Sequence, residues 1–147
     1  MTTETQEPTL QVRLPHGINF QLISRVIEIN ELAVCELDYT GKEILDLADH
    51  FPGQRIFPGA LLIEAMAETT IQLAQRLEGY ENKIFALVGV DECRFYHAVR
   101  PGKTIRLTAQ FESFGHGYGR ALCHAFVDDK LVAKTRLAFT EIKIPTD

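Results

Sequence analysis

A chain of 147 residues, 46% hydrophobic and 24% charged, is long enough for one domain with a real core and too apolar for bulk disorder. Its formal charge of −5 argues against general nucleic-acid binding, and no apolar run approaches the roughly 18 residues that a membrane-crossing helix needs. Cys35, Cys93 and Cys123 lack Cys-x-x-Cys spacing, and the first residues lack the basic start and apolar stretch of a secretory signal. Both features fit a reduced, cytoplasmic setting.

Residues 1–12 read as a flexible polar tail and 13–147 as a single domain. Leu14-Pro15-His16-Gly17 leads into 20–29, a short helix or turn running into a first strand, and Asn30-Glu31 interrupts it as a bulge or turn. Over 33–39, Val34, Glu36 and Asp38 alternate with Cys35, Leu37 and Tyr39, the period of a strand. Residues 40–57 hold two glycines, one proline and no clean periodicity, which predicts a long functional loop. Pro58 suits a first helical turn. From 61 to 77 the chain runs without Gly or Pro and is apolar on nearly all sides, so the helix is expected to be buried. Glu64, Glu68, Gln72 and Gln75 form its one narrow polar stripe, and Gly79 is placed to cap its end.

Strands are expected at 84–97, 103–113, 118–127 and 131–142. Arg100-Pro101-Gly102-Lys103 and Asp128-Asp129-Lys130 read as tight turns, and 114–119 as a looser hairpin connection. A strand, a buried helix and a four-strand meander predict an α+β hot-dog fold, an antiparallel sheet wrapped around one long central helix.

The run from His50 to Glu64 carries the chemistry. Removal of water from a 3-hydroxyacyl thioester needs a base for the C2 proton, donors for charge developing on the carbonyl oxygen, and an acid for the leaving hydroxyl. His50 is a base whose ordinary pKa lies near neutrality. The N–H of Gly59 stands where a helix begins and favours negative charge, and glycine there lets a substrate approach closely. Glu64 is the candidate acid, provided that burial keeps it protonated near neutral pH. Glu68, one turn on, would add like-charge repulsion and so modulate it. Each residue alone is more often structural; the ordered set carries the reading.

The segment His50-Phe51-Pro52-Gly53-x-x-Ile56-Phe57-Pro58-Gly59-Ala60-Leu61-x-x-Glu64-Ala65-Met66-Ala67 resembles the signature of the FabZ-type 3-hydroxyacyl-acyl-carrier-protein dehydratases of the FabA/FabZ hot-dog family. Gly89-Val90-Asp91-Glu92-Cys93-Arg94-Phe95, Val99-Arg100-Pro101-Gly102, the 127–133 hairpin and Leu14-Pro15-His16 extend the likeness over about 13–142. The resemblance implies conversion of 3-hydroxyacyl-ACP to trans-2-enoyl-ACP, with His50 of one subunit working beside Glu64 of its partner and the Gly59 amide on the thioester oxygen. It also implies a homodimer or trimer of dimers, and a substrate carried on the phosphopantetheine arm of acyl carrier protein (ACP). Gln54-Arg55 stands where the family usually has a small or polar residue and proline. Glu68 replaces a usual glutamine, and Gly17-Ile18-Asn19 and Ser24 replace the commoner Arg-Tyr-Pro and Asp. These departures leave room for a specialised secondary-metabolite pathway, such as polyene or polyketide-like chains.

The remaining residues rank lower. His16 is expected at the loop entrance, His97 exposed, and His116 in a glycine turn. Cys123 and His124 face opposite sides of a strand. Neither a metal nor another cofactor is expected. The phenylalanines are expected mostly in the core, with one or two lining an acyl tunnel. An acidic enzyme meeting an acidic carrier needs a local basic patch, and Arg55, Arg94, Arg100, Lys103 and Arg106 are the candidates. Rival readings are a hot-dog thioesterase, a hydratase for CoA thioesters, and a silent acyl-binding subunit that supports a partner dehydratase in a hetero-oligomer.

Overall fold

The computed structural model describes residues 11–12, 21–40, 47 and 50–143. Strands β1 (Arg25–Ile29) and β2 (Leu32–Tyr39) form a hairpin through the bend at Asn30, and helix α1 spans Gly59–Ala74. Four strands follow: β3 (Ile84–Phe95), β4 (Lys103–Gly115), β5 (Tyr118–Val127) and β6 (Lys130–Ile142). All six form one antiparallel sheet in the order β1-β2-β4-β5-β6-β3, with α1 against its inner face, chiefly over β4, β2 and β5. This is the expected hot-dog arrangement.

The meander needs correction. β3 pairs with β6 at one edge of the sheet, and β4 starts beside β2. The reason lies in the turn at Pro101-Gly102. Gly102 has φ +89, and its N–H donates to the Tyr39 carbonyl at 2.7 Å, so the turn docks on the end of β2 instead of folding β4 back on β3. The 114–119 connection is also tighter than expected. His116 (φ +53) and Gly117 (φ +75) make a two-residue turn between paired Gly115 and Tyr118, as Asp128 and Asp129 do between β5 and β6. Paired positive φ values match the twist of the flanking strands.

The sheet places small residues under the helix. Ala109, Ala121, Cys123, Ala125 and Ala133 are fully buried between the larger Ile105, Leu107 and Leu137. That lets α1 approach with Ala65, Met66, Thr69 and Thr70. The two buried threonines satisfy their hydroxyls within the helix, Thr69 to the Ala65 carbonyl at 2.9 Å and Thr70 to Met66 at 3.0 Å.

α1 stops at Ala74, short of the expected residue 77. Arg76 and Leu77 instead donate to Leu73 and Ala74 in tighter three-residue turns, both at 3.2 Å, and Gly79 (φ +88) lies in the turn beyond. Pro58 stands one residue before the helix, with extended ψ 133. Most of the polar stripe is buried: Glu68 and Gln72 are fully buried and Gln75 nearly so. Each has partners, with Gln75 donating to the Lys83 carbonyl at 3.1 Å and Arg76 donating to Gln72 Oε1 at 2.8 Å.

Candidate active site

His50 is half-buried in a loop that closes on itself. Its N–H donates to Leu47, its carbonyl accepts from Ile56 at 3.0 Å, and Phe51 and Gln54 exchange backbone bonds of 3.0 and 2.9 Å around Gly53 (φ +73). The imidazole stacks on Phe51, with ring centroids 4.5 Å apart. Its Nδ1 lies 3.2 Å from the Ile56 carbonyl oxygen. A carbonyl only accepts, so Nδ1 carries the hydrogen and Nε2 keeps the basic lone pair. The loop thereby orients the ring and selects the nitrogen that can take a proton. Among the described residues His50 and Glu64 share no hydrogen bond.

From Ile56 the chain enters the helix under tight control. Phe57 N–H donates to the Val99 carbonyl at 2.8 Å, and its buried ring meets Tyr39 edge-on at 5.1 Å. The Pro58 carbonyl accepts from Leu61 and Leu62. Pro58 supplies no side-chain cap, so the amides of Gly59 and Ala60 head the helix unused by its own ladder. Gly59 lines an open groove of about 320 Å³ with Ile56, Phe57, Leu62, Phe95, Tyr96, His97 and Ala98. A Cβ at Gly59 would stand 2.9 Å from the Phe95 ring, so only glycine leaves that ring where it lies.

Phe95, Tyr96 and His97 were not legible as groove residues. Phe95 is 49% exposed rather than part of the core. The period of β3 is broken by a register shift between Asp91 and Arg94, with Glu92 at φ +49, and Tyr96 N–H then anchors to Val132 at 2.8 Å. Simple alternation cannot foresee which way residues after such a bulge point. His97 is exposed as expected, and His116 sits in its glycine turn. Cys123 faces the helix, 3.3 Å from the Thr70 hydroxyl, while His124 looks outward. His16 lies outside the described residues.

Glu64 is half-buried, a little over one turn beyond Gly59. Glu68 is fully buried, and its carboxylate is clamped by backbone. Leu22 N–H donates to it at 2.9 and 3.2 Å and Ile23 N–H at 3.2 Å. Burial pushes the Glu68 carboxyl up to about 7; the two amides pull it down, and the charge of Glu64 pushes it further up.

Of the basic candidates, Lys103 is engaged with Asp128 at 2.8 Å and Arg106 with Asp129 at 3.8 Å. Arg55, Arg94 and Arg100 are exposed and make no ion pair among the described residues. Each adjoins the groove lining in sequence, Arg55 before Ile56, Arg94 before Phe95 and Arg100 two residues after Ala98. Among the described residues no three His, Cys, Asp or Glu are gathered where they could hold a metal ion, and no helix is long and apolar enough to cross a membrane.

An antiparallel sheet around a central helix, with a bare helix start opening on a groove, defines a hot-dog domain. Solved structures bear out the fold. The Dehydratase Heterocomplex ApeI:P from Xenorhabdus doucetiae superposes with a TM-score of 0.75 at 16% identity, over 90% of each chain. A mutant form of Thioesterase PA1618 from Pseudomonas aeruginosa superposes at 0.64 with 13% identity, over 82% of this chain and 81% of that one. Sequence is more specific. Residues 14–136 match the FabA-like domain. The chain is 36% identical over 128 residues to the 3-hydroxyacyl-[acyl-carrier-protein] dehydratase FabZ of Chloroflexus aggregans, covering 86% of this chain and 88% of the relative. It is 34% identical over 135 residues to the FabZ of Acetivibrio thermocellus, covering 90% and 92%. The protein belongs to the FabA-like family, on its FabZ dehydratase side.

Proposed function

We propose that the chain removes water from 3-hydroxyacyl-ACP to give trans-2-enoyl-ACP, with His50 as base, Glu64 as acid and the Gly59 amide as thioester-oxygen donor. Neutral His50 takes the C2 proton on Nε2. The electron pair moves toward the thioester carbonyl, whose oxygen gains charge against the Gly59 N–H at the positive end of the helix. Glu64 gives its proton to the C3 hydroxyl, the C3–O bond breaks, and water leaves as the C2–C3 double bond forms. One proton is taken and one given, so exchange of both with solvent restores the site. The chemistry asks for no metal or redox cofactor.

The observation that carries this reading is the contact of His50 Nδ1 with the Ile56 carbonyl, which leaves Nε2 basic in the loop that leads into the helix start at Gly59. In this reading His50 works with the glutamate of a partner subunit. β3 supports a homodimer, alone or as a trimer of dimers: it is an edge strand whose Leu87, Val88 and Val90 are 41%, 54% and 41% exposed. The enzyme acts in the cytoplasm on carrier-bound chains, and a specialised acyl class would account for Gln54-Arg55 and Glu68.

Mass spectrometry of 3-hydroxyacyl-ACP incubated with wild type, His50→Asn and Glu64→Gln tests this. Loss of one water with wild type, abolished by either substitution, is the expected result. Release of the acyl group would replace it with a thioesterase, and no change over a panel of saturated, unsaturated and aryl chains would sink it.

A further inference from the structure

Phe95 reaches the groove only because β3 changes face before it. Cross-strand neighbours share a face of the sheet. Asp91 stands opposite Arg136, whose side chain lies on the outer face against Glu112, while Phe95 stands opposite Ala133, fully buried beneath the helix. Four steps along β3 therefore match three along β6, and the extra residue reverses the alternation. Without it, Phe95 would follow Asp91 onto the outer face and Arg94 would turn toward the helix. The extra residue is taken up at Glu92, whose φ of +49 is one that a non-glycine residue seldom adopts unaided. Two neighbouring residues of β6 hold this bulge. Thr135 is fully buried, and its hydroxyl donates to the Asp91 carbonyl at 3.1 Å, nearer than the Arg136 carbonyl at 3.4 Å. The Arg136 guanidinium donates to the carboxylate of Glu92, the left-handed residue itself, and through Nε to Glu112 at 2.6 Å. Beyond the bulge, Tyr96 N–H returns to the Val132 carbonyl at 2.8 Å. The chain is thus fixed on both sides of its change of face. Phe95 is left against Gly59, with three ring atoms 2.9, 3.1 and 3.3 Å from where a Cβ would stand.

We propose that Thr135 and Arg136 are positioning residues for this groove. By locking the bulge they hold the Phe95 ring on the helix start, and so set the width of the groove in which a thioester meets the Gly59 amide. Neither residue lines the groove itself. The inference rests on Gly59 as the thioester-oxygen donor and goes beyond it by naming what, one strand away, shapes the space around that donor.

The test removes the Thr135 hydroxyl and watches Gly59. Valine keeps the shape of threonine without the donor. NMR of selectively labelled glycine amides reads the Phe95 ring through its ring-current shift on Gly59, and Phe95→Leu gives the signal with the ring gone. In Thr135→Val the Gly59 signal should move toward the Phe95→Leu position, and Thr135→Ser should return it. With a 3-hydroxyacyl N-acetylcysteamine thioester, Thr135→Val should raise KM about fivefold while kcat stays within about twofold. In a Phe95→Leu background the same change should alter KM by less than about 1.5-fold, because no ring is left to aim. A Gly59 signal that stays put, or KM effects that simply multiply in the double variant, would overturn the proposal. A lowered Tm with neither change would make Thr135 structural only and overturn it as well. If Thr135→Val does not fold, Arg136→Gln on the outer face must move the same signal in the same direction, and an unmoved signal overturns the proposal. A wild type that dehydrates nothing, with a Gly59 signal that still follows Thr135→Val, would sink the dehydratase reading and support the clamp.

Discussion

Single atoms set the site at Gly59 and Glu68. A methyl group at Gly59 would press on the Phe95 ring at 2.9 to 3.3 Å, and that ring is the half-exposed end of a flexible side chain. The ring can yield, and alanine suits a helix start, so Gly59→Ala should fold with a Tm within a few degrees of wild type. Its cost falls on the groove: kcat/KM should drop about tenfold or more, a loss of about 1.4 kcal/mol. Phe95→Ala should recover part of it in the double variant, and kinetics showing simple additivity would count against the ring contact. Glu68 leaves a different signature, in stability. Burial raises its carboxyl from the ordinary 4.5 to about 7. Between these values the folded protein binds a proton that the unfolded chain has released, so stability falls as pH rises through this window. The full effect is about 3 kcal/mol. Glu68→Gln removes it, so wild type should lose roughly 5–10 °C more Tm than the variant between about pH 5 and 8. Parallel Tm curves in a thermal scan would refute this.

Among the elements, β3 stands apart. It is an edge strand with an apolar, exposed side, and such edges invite pairing with another strand. Val88→Lys puts a charge at its 54%-exposed position and should raise the dimer dissociation constant about a hundredfold or more, with activity lost in step. Sedimentation that shows an unchanged assembly would remove β3 from the interface. Mixing His50→Asn with Glu64→Gln subunits should restore about a quarter of wild-type activity. Half of randomly paired dimers are mixed, and each mixed dimer has one intact composite site of its two. No recovery after exchange would place both residues of a site in one chain. The elements also show what the chain order discloses. α1 was legible because Pro58 and an unbroken apolar run are local signals, and β5 because its alternation and turns are local too. The place of β3 was not, because its partner lies far along the chain, with Phe95 against Ala133 and Ile84 against Ile142, and pairing at that distance is decided by the docked Gly102 turn. What covers the polar stripe of α1 was not legible for a similar reason. Glu68 is covered by 21–23, a segment without a pattern of its own. His50, Gly59 and Glu64 stand out in the sequence because their order along one loop and helix start is a local signal; Phe95 did not, because a bulge re-aims it.

Over the whole molecule, charge separates into a neutralised sheet and a basic groove mouth. The chain carries a net −5 and would repel an acidic carrier at long range. Across the outer sheet, Arg25 pairs with Glu36 and Asp38, Lys103 with Asp128, Arg120 with Asp91, and Arg136 with Glu92 and Glu112. Such exposed pairs add little stability individually, but they cancel the field of their cations. Arg55, Arg94 and Arg100 are not cancelled this way among the described residues, and each adjoins the groove lining in sequence. We propose that an acidic carrier is steered by these three arginines rather than by the total charge. Arg55→Glu and Arg100→Glu should each raise KM for 3-hydroxyacyl-ACP about tenfold at low salt, with the gap to wild type closing as salt screens the encounter. N-acetylcysteamine thioesters of the same chain carry no protein, so their kcat/KM should stay within about twofold. Steady-state kinetics on both substrates at two ionic strengths decides the matter. An equal loss on both would mean that the arginines shape the groove rather than meet the carrier, and a loss indifferent to salt would remove charge as the cause.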